Sequence, residues 1–254
     1  MLLRRITKHV KDQNWFAVGI DFLIVVFGVF IGIQFANWND TQQDHKAYLE
    51  AHDRMVSEVR RNIFNQNSVI DNVLPKFTAF QQATEDLRLC RTDDEAQVRI
   101  SDALDLLGVV LSPSFEITAI NTLTSSERLL ERQSDESRRL YVDYTRFLNT
   151  VVKWSETEFT LVNERIGVFH PFLSVDAPGS GPALPGTFLS SSNSTRKIIL
   201  LADIDDACKD GELLKMFLYW EIGTDYQLSL MREVVSRSES FLEALGEPLD
   251  EAES

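Results

Sequence analysis

Twelve residues, Phe22 to Ile33, run without a polar side chain. No other stretch limits the fold so strongly, because such a run must be buried in protein or in lipid. Twelve is short for a bilayer span, which takes about 20 apolar residues. Extended to the flanking tryptophans, Trp15 and Trp38, the segment has 24 residues, about 36 Å of helix at about 1.5 Å per residue. That length matches a bilayer with an aromatic anchor at each face. A buried core helix is the plainer reading. The tryptophan pair and the basic residues just before the segment favour the membrane.

A cleaved signal peptide is the other rival. The sequence QFA ahead of Asn37 places Gln34 where a small residue is needed for cleavage. An uncleaved signal anchor over residues 15–38 is therefore expected. Residues 1–14 carry Arg4, Arg5, Lys8 and Lys11 against one acid, Asp12. By the positive-inside rule this head is cytoplasmic and residues 39–254 lie outside the cytoplasm. Leu2, Leu3, Ile6 and Val10 make the head a short amphipathic helix suited to the inner leaflet.

The rest of the chain has the opposite charge. From residue 22 onward, 37 acidic residues face 21 basic ones, a net charge of −16. Such a body lacks the clustered Lys and Arg that phosphate binding requires, so nucleic acid is not an expected partner. It also repels anionic headgroups and should stand off the membrane away from its tether.

The segment LLRRITKHVKDQNWFAVGIDFLIVVFGVFIGIQFANWND, Leu2 to Asp40, resembles the N-terminus of a family of single-pass inner-membrane proteins of Gram-negative bacteria. A later piece, INTLTSSERLLERQSDESRRLYVDY, is similar to a recurrent segment of such proteins, with Glu127 where glycine is expected. The resemblance implies a topology, with the N-terminus in the cytoplasm and the C-terminal part in the periplasm. It implies no activity.

Asp21 stands at the head of the apolar run. At about 100° per residue, Gly28 falls about 20° to one side of it, Gly32 about 20° to the other, and Val25 about 40° away. Asp21, Val25, Gly28 and Gly32 thus form one narrow stripe, and Gly28 to Gly32 is a GxxxG pattern that permits close helix approach. One reading is a docking face with Asp21 as its polar anchor. The other places Asp21 near the headgroups, about 9 Å past Trp15, or as an N-cap after a bend at Gly19. Self-pairing would bring two Asp21 carboxylates together, where they must share a proton or repel. The docking reading therefore favours a different membrane partner, or an offset homo-oligomer.

The body reads as amphipathic helices. Tyr48, His52, Met55, Val59, Ile63, Ile70 and Val73 recur at spacings of three and four, with polar Gln66 and Asn67 interrupting. Pro75 should end or bend this helix. A second helix carries Phe77, Phe80 and Leu87; a third begins near Asp93 with Val98, Ile100, Leu104 and Leu107. A short helical stretch leads to Ser125 and Ser126, a long one covers about 134–169, and the last covers about 211–245. Residues 171–195, with four prolines and three glycines, read as a loop. RKIILLAD, Arg196 to Asp203, is the one strand-like run and reads as a helical or extended connector. The expected fold is all-α: one transmembrane helix continuing into an antiparallel helical bundle over 39–246, with a disordered acidic tail at 247–254.

Chemistry-bearing patterns are few. Cys90 and Cys208 can form a disulfide outside the cytoplasm, with two buried thiols as the alternative. There is no CxxC motif. His45 and His52 share a helix face among acids, but neither HExxH nor ExxH spacing occurs, so a solvated mixed-charge face is expected rather than a metal site. No GxSxG, Walker loop or GxGxxG is present. Trp154, Phe159, Tyr219 and Trp220 read as bundle interior. No cofactor is expected and no catalytic activity. Two readings remain: a membrane-anchored interaction or accessory protein, and a sensory ligand-binding bundle that signals through a membrane partner.

Overall fold

A computed structural model describes residues 15–107, 111–165, 170–177, 196–247 and 249. Its organising element is α1, Trp15–Arg88, a single helix of 74 residues. At about 1.5 Å per residue it is about 110 Å long. Pro75 lies inside it, so the helix does not end there. Pro75 is exposed, and the packing of α1 on both sides of it outweighs the one backbone hydrogen bond that proline cannot donate.

Five more helices follow up to the last one: α2, Asp94–Leu104; α3, Thr118–Ser125; α4, Glu127–Leu130; α5, Asp135–Arg165; and α6, Ile204–Ala207. The last is α7, Gly211–Leu245. The body is therefore mostly helical, as expected, and residues 166–169 of the expected long helix lie outside the described residues. All-α needs one correction. β1, Leu173–Val175, pairs antiparallel with β2, Ile198–Leu200, in the register Leu173 to Leu200. The start of the expected loop and the strand-like run thus meet. A lone two-stranded ribbon is marginal in water; this one lies with Phe172, Leu173, Ile198 and Leu200 against a hydrophobic cluster. The remainder of the loop, 178–195, lies outside the described residues.

The body has two apolar clusters, both built on α1. The one farther from the apolar segment joins Phe77, Phe80 and Leu87 to Leu213, Phe217 and Trp220 of α7. Phe80 lies 5.1 Å from the Phe217 ring and 4.0 Å from the Trp220 ring, centroid to centroid. The nearer cluster joins Met55, Val59 and Ile63 to Tyr141 and Leu148 of α5 and Phe241 of α7. Tyr144 stacks on Phe241 at 4.1 Å, and its hydroxyl is 2.8 Å from Ser238 Oγ. α7 accordingly runs back along α1, and α5 starts nearer the apolar segment. Two expected interior residues are placed outside: Val98 is 60% and Trp154 54% exposed.

Caps set the element ends. Asp93 accepts from Ala96 N–H at the start of α2, and Asp210 from Glu212 and Leu213 N–H at the start of α7. Gly246, at φ 77°, closes α7 in the left-handed conformation that glycine takes without strain. The tail boundary shifts slightly. Glu247 N–H still bonds Leu242 O at 2.9 Å, and Leu249 packs on the nearer cluster; residues 248 and 250–254 lie outside the described residues.

Candidate functional site

The apolar part of α1 is not buried by any other described part of the chain. Phe22, Leu23, Ile24, Val25, Phe30, Ile31 and Phe35 are 53–68% exposed. This is the one described helix long and apolar enough to cross a membrane, by length and composition. Trp38, 58% exposed, ends it with its ring 5.7 Å from Phe35. Trp15 is in the helix, but its side chain and the head residues Arg4, Arg5, Lys8 and Lys11 lie outside the described ones.

Because α1 is unbroken, the helical phase of the Asp21–Gly32 stripe carries into the body. Phe64 lies 36 residues beyond Gly28, ten whole turns of about 3.6 residues, so both point the same way. Phe64 is 67% exposed. Met55, fully buried, is 27 residues from Gly28, about 180° round the helix. Asp21, Val25, Gly28 and Gly32 therefore face away from the bundle. A Cβ added at Gly28 or Gly32 would meet nothing within 4 Å, so packing within this chain does not require glycine at either position.

On the opposite face, α1 carries polar groups that the periodicity reading passed over. Glu58, Asn62 and Gln66, one turn apart and each buried, hold the non-helical strap 111–117 and the start of α3. Both Glu58 oxygens accept from Ala119 N–H, at 2.9 and 3.1 Å. Asn62 Nδ2 donates to Glu116 O at 2.7 Å and its Oδ1 accepts from Glu116 N–H at 2.8 Å. Gln66 Nε2 donates to Ser114 O at 2.7 Å. α3 has no side-chain cap of its own, and the Glu58 carboxylate supplies one at the positive end of its dipole. The polar interruption at Gln66 was the visible signal. Arg128 and Arg132 both pair with Asp44, near the apolar segment.

At the far end, Cys90 and Cys208 are bonded, with Cα atoms 5.3 Å apart. Cys90 terminates α1: its N–H bonds Leu87 O at 3.1 Å, and Arg91 N–H bonds Asp86 O at 2.9 Å, the pattern that places a left-handed residue at the cap. Nearby, His170 Nδ1 accepts from Phe172 N–H, so its Nε2–H donates to Asp210 Oδ1 at 3.2 Å. The Leu213 and Glu212 N–H bonds, with this one, hold the Asp210 carboxyl below its ordinary range. His52 is half-buried between the Tyr48 and Tyr141 rings rather than fully solvated. Among the described residues no three His, Cys, Asp or Glu side chains gather as a metal site would need. Two grooves open to the surface: one of about 590 Å³ along α3 and α5, lined by Val142, Asn149, Lys153 and Trp154, and one of about 550 Å³ along α1 and α3, lined by Arg54, Glu58, Arg61 and Thr118.

These features define a class: a mostly helical protein with one candidate membrane-spanning helix that runs unbroken into a disulfide-tied body. The chain matches no protein-family model, no curated protein and no solved structure.

Proposed function

We propose that the chain is a membrane-anchored interaction or accessory protein without catalytic activity of its own. Its N-terminus is in the cytoplasm, residues 15–38 cross the inner membrane, and the helical body occupies the periplasm. The observation that carries this reading is α1: exposed apolar surface around its whole circumference over 20–38, then one buried face from Ala51 onward. Water would penalise that apolar cylinder; lipid would not. The disulfide supports an oxidising compartment for the body. The stripe of Asp21, Val25, Gly28 and Gly32, turned away from the bundle, supports docking by a second membrane helix. The topology agrees with the resemblance of the N-terminal segment to single-pass inner-membrane proteins.

A sensory bundle would want an enclosed polar cavity. The two grooves named above open to the surface. The deciding experiment is purification of the full-length protein from its own membrane after mild cross-linking. A stoichiometric second membrane protein, lost when Asp21→Asn is introduced, is the expected result. Recovery of the chain alone would make Asp21 an interfacial residue and remove the docking role. Protease added to cells with a permeabilised outer membrane should digest the body; full protection would reverse the topology.

A further inference from the structure

We propose that the Cys90–Cys208 bridge is exchangeable in the folded protein, with Cys90 as the sulfur attacked by an external dithiol reductant. Three observations carry this. Cys90 is exposed while Cys208 is buried, so an incoming thiolate has access to one side of the bridge. Cys90 has φ 50°, the only positive value at a non-glycine position among the described residues. It occupies the left-handed cap position where glycine is usual and a side chain is strained. Exposed or strained disulfides are the ones that exchange readily. Third, the surroundings accommodate the open form. Cys208 Sγ lies 3.4 Å from Asp205 O, an acceptor for the thiol that replaces the bridge. The packing of Phe80 on Phe217 and Trp220 holds α1 to α7, the helix that follows Cys208, independently of sulfur.

The exchange is a balanced two-electron step. A reductant thiolate attacks Cys90 Sγ, the Cys90–Cys208 bond breaks, and Cys208 leaves as a thiolate and takes a proton. The reductant's second thiol loses its proton and attacks the mixed disulfide at the reductant's own sulfur. Cys90 leaves in turn and is protonated. The reductant ends as a disulfide and the protein as two thiols. Opening frees the far end of α1 from α6 while the rest of the body stays packed.

The test uses full-length protein in detergent, exposed to dithiothreitol without denaturant and quenched with a maleimide that adds visible mass. Both thiols should appear at a rate within about tenfold of that in guanidinium, with the helical circular dichroism unchanged. Labelling that begins only with global unfolding would overturn the proposal. In a second arm, a thioredoxin-like protein with its resolving cysteine replaced by alanine should trap a mixed disulfide with the wild-type chain. Peptide mapping should place that link at Cys90; a link at Cys208, or no link, would refute the assignment.

Discussion

Asn62 uses both ends of its amide on the backbone of Glu116. Asn62→Leu therefore removes two part-buried hydrogen bonds to the Glu116 backbone, together about 1–3 kcal/mol at a net of about 0.5–1.5 kcal/mol each. Chemical denaturation of the variant should show a loss in that range, whereas Asn65→Leu, on the exposed face of the same turn, should show almost none. Two residues contribute at opposite ends of the pH profile. Asp210 has a depressed folded pKa, so its stabilising effect is present above the ordinary aspartate value of about 4 and is lost as pH falls below it. Asp210→Asn should flatten the acid limb of the stability curve. Tyr144 works in the other direction: burial pushes its pKa up to about 12. Its contribution is whole below pH 10, the ordinary value, and disappears as pH rises towards 12. Tyr144→Phe should shift the alkaline unfolding midpoint upward in a circular-dichroism titration.

At the scale of elements, α1 persists through Pro75 because a helix held on both sides by packing tolerates one missing bond. Pro75→Ala restores that bond and removes a steric clash, and should stabilise the body by up to about 3 kcal/mol in denaturant unfolding. The bridge ties the end of α1 to residues just after α6, across a separation of 118 residues. A double Cys90→Ser, Cys208→Ser variant should lose roughly 5 kcal/mol by the chain-entropy estimate, less whatever strain Cys90 relieves, while retaining its helical spectrum at 25 °C. The limits of α2 and α7 were legible because Asp93, Asp210 and Gly246 are strong local signals. The β1–β2 pair was not. Three-residue strands have too few positions for a period to emerge, and their stability comes from the Leu213–Phe217 cluster beneath them.

At the scale of the whole molecule, the stripe and the body occupy opposite sides of one rod. A partner helix can approach Gly28 and Gly32 without meeting the bundle. Gly28→Ile and Gly32→Ile should therefore leave body stability unchanged, since beyond the local helix backbone neither new Cβ meets any described residue within 4 Å, yet reduce cross-linking in membranes severalfold. Unchanged cross-linking in both variants would remove the docking face. The sequence by itself determined the apolar segment, the charge asymmetry on either side of it, the helical character of the body and the approximate starts of α2 and α7. Each of these depends on composition or on spacings within one turn. Only the tertiary structure decided that α1 is unbroken, that its stripe points away from the bundle, that Trp154 is exposed, and that Glu58, Asn62 and Gln66 hold a distant strap. Those outcomes depend on which surfaces meet across more than 40 residues of chain, where burial of whole faces overrides local preference.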